Sequence, residues 1–397
     1  MAQSTGEQMR NWSGPAVLSF GFRPFFLLGA LWAALAMMIW VVMLSGGPAL
    51  PTRFDPTSWH AHEFLFGYLG AIIAGFLLTA VPNWTGRLPV VGWQLAALSA
   101  LWIAGRVTIA TSALLPPFWV GAVDLAFPLV LAAMILREII AGKSWGNLVV
   151  LVMLAVFALA NGLFHWNAAM GGFAAQGMGL RLGLAAALMM VSVIGGRVVP
   201  SFTRNWLVKT GHDARPAPPM QRFDKATLGA TVLGLLAWVL WPDRAAAGIG
   251  LLIVAALQTA RLIRWKGILT GAEPLIWVLH SGYAFVPLGA LAVGASILFP
   301  QFLGLAAAQH IWMAGVIGLM TLGVMTRATL GHTGQDLHAG LATTSIYLAI
   351  IGSVAMRLLA GAFPDIATPL YSLAALLWIA AFGGFAAVYG PLLVRPK

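Results

Sequence analysis

WHAHEFLFGYLGAIIAGFLLTAVPNWTGR, residues 59–87, decides how the rest of the chain is read. Its apolar part, 60–82, is long enough to cross a bilayer, which takes about 20 residues. Yet it opens on two histidines and a glutamate, His60, His62 and Glu63. Polar side chains at membrane depth are costly, so they turn toward the interior of a helix bundle and find partners there. The stretch reads as a membrane helix with chemistry at one end.

Eleven further apolar stretches surround it. With 60–82 included, they run near 24–46, 60–82, 91–111, 117–137, 146–167, 176–199, 226–242, 245–263, 273–297, 304–330, 341–362 and 367–392. Of 397 residues, 60% are hydrophobic and 8% charged, with a mean hydropathy of +0.89. A soluble domain is roughly 25% charged, so this chain cannot cover a water-facing surface. That excludes a soluble enzyme on one anchor, a secreted protein and a disordered scaffold. The fold class is an all-α polytopic membrane protein, one transmembrane domain of about twelve helices over 1–397. The 45 glycines suit close helix packing in lipid. The first helix lacks the features of a cleaved signal peptide and is expected to be retained.

Charge sets the expected orientation. With the N-terminus inside, 17 of the 22 basic residues fall on the inner side; Arg53, Arg106, Arg181, Arg244 and Arg357 fall on the outer. Both termini are therefore expected in the cytoplasm, with a basic cytoplasmic loop over 200–225 that holds Arg204, Lys209, His212, Arg215, Arg222 and Lys225. This asymmetry explains the net charge of +11 without nucleic acid. With no cysteine, disulfides, thiolate ligands and iron–sulfur clusters are excluded. No phosphate-binding glycine loop supports nucleotide hydrolysis, and no paired-carboxylate proton path is evident in mid-membrane; the acids in or near helices are Glu63, Asp124, Glu138 and Glu273.

The second helix aligns with the tenth at an offset of 248 residues. His62 then meets His310, and Gly67, Gly70, Gly75, Thr85 and Gly86 meet Gly315, Gly318, Gly323, Thr333 and Gly334. The alignment reads as a parallel repeat, though glycine-rich membrane helices also align by chance; three four-helix units would make helix six the third copy. Its match is poor beyond Arg197 over Arg327.

The histidines sort by depth. His60, His62, His165 and His310 lie toward the outer ends of their helices with Glu63; His280 and His332 lie toward the inner ends. One such histidine is explained by an interhelical hydrogen bond, but four with a carboxylate suit iron, copper or zinc. At helical pitch His60 and Glu63 share a face with Gly67, Gly70, Ala71 and Ala74, while His62 points roughly 200° from His60. Asn161, four residues before His165, could orient that imidazole. His310 and His332 lie roughly 33 Å apart on one face of an unbroken helix, a spacing that suits a haem near each membrane surface. Arg106, Arg181, Arg197 and Arg327 would suit haem propionates or snorkel to headgroups. The tryptophans, among them Trp12, Trp59, Trp84, Trp166, Trp206 and Trp241, read as an aromatic belt.

Four segments carry a family resemblance: FRPFFLLG from Phe22, the 59–87 stretch, GGRVVPSFTRNWL from Gly195 and TRATLGHTG from Thr326. Together they resemble the NnrS membrane proteins. That resemblance implies a protein of the bacterial inner membrane with haem b, one or two copies, and copper, associated with nitric oxide and denitrification. The fold is also loosely similar to the catalytic subunit of haem–copper oxidases and nitric oxide reductases, though no double histidine stands on helix seven and none on helix six.

The expectation is reduction of nitric oxide to nitrous oxide. His62 and His310 would ligate an outer haem; His60 and His165, with Glu63 as ligand or proton donor, would hold a second metal. His280 and His332 would ligate an inner haem fed by quinol. Nitric oxide binding or sensing without turnover is the first alternative, and transport of a metal or metal complex the second.

Overall fold

The computed structural model describes residues 12–87, 89–301 and 304–395. Among them are twelve helices long and apolar enough to cross a membrane, and no strands. In chain order they are α1 (Phe22–Leu44), α2 (Pro56–Thr85), α3 (Trp93–Ala110), α4 (Pro117–Ala141), α5 (Trp145–Ala169), α6 (Met178–Lys209), α7 (Arg222–Leu240), α8 (Ala245–Ile263), α9 (Pro274–Leu298), α10 (Leu305–Thr333), α11 (Leu341–Ala362) and α12 (Pro364–Val394). The polytopic all-helical reading holds. Helices suit this role because each satisfies its own backbone hydrogen bonds where water is absent.

The boundaries differ most at α6, which continues to Lys209 instead of ending near 199. Hydropathy marks where lipid contact ends, whereas hydrogen-bonded backbone runs on into the polar region. The stretch read as a basic loop over 200–225 is thus helical at its start, and α7 opens at Arg222 with a capping box between Gln221 and Asp224.

The chain divides into two compact units. One takes residues up to Gly183, with Ala328–Gln335 and the chain from Phe382 onward; the other takes Leu184–Arg327 and Asp336–Ala381. In the first unit α2 is the most buried span, while α1 keeps a lipid-facing side of Leu31, Leu35, Met38 and Val42. That three-and-four spacing is the outer stripe of a helix. Gly29 and Gly75 let α1 and α2 approach closely: a Cβ on Gly75 would come within 2.8 Å of the Phe26 ring. In the second unit α8 and α9 cross at Gly248 and Gly294, where a Cβ on Gly294 would come within 2.8 Å of the Gly248 carbonyl.

Three helices share a departure from regular pitch. α2, α6 and α10 each contain a π-helical segment, at Glu63–Tyr68, Val191–Gly195 and Ile311–Leu319 respectively. These are the helices that three four-helix units would place in register. The shared π segment is a likeness of α6 to the other two that residue identities do not display. π turns are rare and gather at functional sites.

A buried histidine–carboxylate centre in the first unit

α2 starts where Asp55 accepts from the Ser58 backbone N–H at 2.9 Å and Pro56 occupies the first turn. Such a cap and a first-turn proline fix the start of a helix. The cap puts His60 in the second turn and His62 at its end, just before the π segment that opens at Glu63. The two imidazoles part company, as the helical arithmetic requires. His60 stacks on Trp40, ring centroids 4.5 Å apart, and lies against Phe64. His62 is fully buried, with Phe54, Phe66 and Phe164 at centroid distances of 5.6, 5.4 and 5.4 Å.

Around His62 five helices supply polar groups. Its Nδ1 is 3.1 Å from Glu63 Oε1, and its Nε2 is 3.2 Å from Asp124 Oδ2 on α4 and 3.0 Å from Asn161 Oδ1 on α5. His165 on α5 brings its own Nε2 to 3.0 Å from the same Asp124 oxygen. Asn161 Nδ2 donates to that oxygen at 2.7 Å. Arg106 on α3 holds the two carboxylates together: Nη1 donates to both Glu63 oxygens at 2.7 and 2.8 Å, and Nη2 donates to Asp124 Oδ1. Trp32 on α1 completes Glu63 by donating to Oε2 at 2.7 Å.

Glycine makes this density feasible. A Cβ on Gly67 would stand 2.5 Å from Arg106 Nη1 and 2.8 Å from Glu63 Oε2. The small-residue face read from the sequence therefore borders the buried guanidinium, with Gly67 at its centre.

Several expectations need correction. Glu63 and Asp124 come together in the bundle, bridged by Arg106. Arg106 neither snorkels nor waits for a propionate: it is 5% exposed and spent on protein carboxylates. His60 does not join His165 and Glu63 in one ligand set, because its ring faces Trp40 and Phe64. Asn161 is bonded to Asp124 and His62 rather than orienting His165. Trp59 is fully buried, so it is not part of a belt.

The remaining candidates lie elsewhere. His332 packs between Phe20 and Phe22 in the first unit, at centroid distances of 5.3 and 5.4 Å. His310, in the second unit, has Nδ1 2.6 Å from the Ala306 carbonyl. The same-face arithmetic linking them assumed an unbroken α-helix, and the nine π residues between them remove that basis. His280, also in the second unit, has Nε2 2.7 Å from Thr203 Oγ1. Arg181 donates to the Gln176 carbonyl at 2.6 Å, Arg197 is exposed, and Arg327 lies 4.0 Å over the Phe202 ring.

A second buried cation went unread in the sequence. Arg261 on α8 is fully buried and donates to Asp224 Oδ1, the Ser192 carbonyl and Tyr283 Oη, each at 2.9 Å. Hydropathy starts this span near 226 and so places Asp224 in a loop, whereas the helix begins at Arg222. Ser192 lies in the π segment of α6.

Among the described residues, one group of histidine and carboxylate side chains could hold a metal ion: His62, Asp124 and His165, whose ligand atoms lie within 4.8 Å of one another. The family model described as NnrS protein matches residues 16–397, nearly the whole chain. The chain belongs to the NnrS family. No curated protein matches it. NnrS proteins are membrane proteins linked to the nitric oxide response, and the family is known for binding haem and metal. In this NnrS protein the donor set fits a single ion well. His62 Nε2 faces only oxygen acceptors, Asp124 Oδ2 and Asn161 Oδ1, while its Nδ1 faces another, Glu63 Oε1. A neutral imidazole has one N–H and cannot donate at both edges; the acceptors at both are satisfied by a doubly protonated ring or by a cation at the Nε2 edge. A haem on His62 does not fit. The ring is sealed by three phenylalanines, and the neighbouring cavity has room for about one water molecule.

Proposed function

We propose that this NnrS protein binds nitric oxide at a single metal ion held by His62 Nε2, His165 Nε2 and Asp124 Oδ2. It would do so in the cytoplasmic membrane, with both termini inside. The observation that carries the reading is the convergence of two imidazole nitrogens on one carboxylate oxygen. Two histidines and a carboxylate suit iron or copper, and leave positions open for a small ligand. The metal would supply the affinity for nitric oxide. Glu63 fixes the orientation of the His62 ring through Nδ1, as carboxylates do behind ligating histidines. Arg106 offsets the charge of both carboxylates and keeps them in place without water.

The enclosed setting favours capture of one diatomic molecule over coupling of two, so binding or protection leads and reduction to nitrous oxide follows it as the narrower claim. Haem, if carried, belongs on another histidine. His310 has the backbone hydrogen bond at Nδ1 that fixes the tautomer of a ligating imidazole. Quinol as electron donor rests on the same footing as turnover.

The test is metal analysis and absorption spectroscopy on purified protein, wild type beside Asp124→Ala and His165→Ala. The expected result is one iron or copper per chain, a spectrum perturbed by nitric oxide, and loss of that metal in both variants. Correctly folded wild type without stoichiometric metal overturns the proposal. Nitrous oxide measured on the same sample separates turnover from capture.

A further inference from the structure

Beside the ligand group, in the first unit, lies a small cavity whose contents the proposed centre does not account for. Phe66, Phe127 and Phe157 supply much of its apolar wall, each at most 5% exposed. Arg106, Asp124 and Asn161 form its polar end. It has room for about one water molecule.

The polar end is almost fully committed. Asp124 accepts from Arg106 at Oδ1 and faces His62, His165 and Asn161 at Oδ2. Asn161 uses its oxygen toward His62 and its amide toward Asp124. Both terminal nitrogens of Arg106 are spent on carboxylates. Arg106 Nε is buried and has no hydrogen-bond partner among the described residues. These three side chains thus leave one free donor, the Arg106 Nε–H, and no free side-chain acceptor. A buried water makes about three hydrogen bonds and is stable only with two to four partners. This space suits a molecule that wants at most one hydrogen bond and is content among aromatic rings.

We infer that the cavity is a dry holding pocket for one neutral diatomic molecule, with the Arg106 Nε–H as its one donor and Gly70 setting its width. The inference rests on the nitric oxide reading above and adds what that reading lacks: a place for the ligand before it meets the metal, and a reason why a neutral gas is preferred over a hydrated anion. Gly70 lines the pocket, and a Cβ there would meet only the Phe127 ring edge at 3.8 Å, an ordinary contact. Gly70→Val therefore starts from an ordinary Cβ contact and adds two methyls that narrow the space.

Two measurements test it, with carbon monoxide as the probe. In metal-loaded, reduced protein in lipid nanodiscs, carbon monoxide is flashed off the metal and its return followed. Wild type should show a large fast phase of recapture from within the protein, and Gly70→Val should reduce that fraction severalfold with unchanged metal content. In metal-free protein, infrared spectroscopy should show a narrow band of caged carbon monoxide that Gly70→Val abolishes. Recapture equal in the two proteins, or no caged band in metal-free wild type, overturns the pocket. A wild-type protein that forms no adduct with either gas sinks the metal-binding reading instead, and the metal-free spectrum then still reports on the pocket.

Discussion

His62 Nδ1 lies 3.1 Å from the carboxylate of Glu63, its neighbour in the chain. Successive residues on an α-helix do not face each other. The contact forms where α2 leaves α-helical pitch, at the first residue of the π segment. It sets the Nε2 edge of the same ring against Asp124 and Asn161, and so decides which nitrogen is presented to a metal.

Glu63→Gln keeps the shape of that side chain but not its charge. Metal affinity should fall about 10- to 100-fold, the usual effect of losing a carboxylate behind a ligating histidine. Competition against a chelator of known affinity measures it. An unchanged affinity would remove Glu63 from the centre.

His60 and His165 are told apart by their surroundings. His165→Ala should strip the metal, since its Nε2 is 3.0 Å from Asp124. His60→Ala should leave metal content as in wild type, because the ring stacks on Trp40. Metal analysis of the two purified variants decides the matter; equal loss in both would restore His60 to the ligand set.

Gly67→Ala should be among the most damaging single-methyl changes in the first unit. Its Cβ would sit 2.5 Å from Arg106 Nη1, whereas at Gly105 the nearest atom, Asp124 Oδ1, is 3.0 Å away. Overpacking costs about 1–3 kcal/mol, so thermal unfolding in detergent should rank Gly67→Ala below Gly105→Ala, and both below wild type.

In the second unit, Asp224→Asn leaves the fully buried Arg261 without its counter-ion. Removing one partner of a buried ion pair costs about 3–5 kcal/mol. Tyr283→Phe removes one of the hydrogen bonds to the same guanidinium, worth about 0.5–1.5 kcal/mol. Chemical denaturation should separate the two variants in that order; equal effects would mean that Asp224 is not the principal counter-charge.

Hydropathy sufficed for the twelve spans because lipid imposes the same demand on each of them. It was weaker at the ends of α6 and α7, where helix continues through polar sequence. The candidate centre was half visible. His62, Glu63 and His165 stand out as polar residues at the ends of apolar stretches. Asp124 does not, and Asn161 stands out only as a neighbour of His165, since the contacts of both with His62 come from α4 and α5 packing against α2 and no spacing along the chain encodes that. One signal was available: an arginine in a membrane span needs a carboxylate, and Asp124 is the acid on the next helix from Arg106. The separation of His60 from His62 followed from helical pitch alone.

The π segment of α2 also fixes a length. Deleting one residue between Glu63 and Tyr68 would return the helix to α pitch, leaving the residues beyond it facing much as before but closing the wide turn that brings Glu63 against the His62 ring. Substitution is tolerable at many positions of such a segment; a change in the number of residues is not. In this helix the residue count is itself a functional property, and variants of this protein should differ in length in the loops on either side of α2 but not between His62 and Gly70.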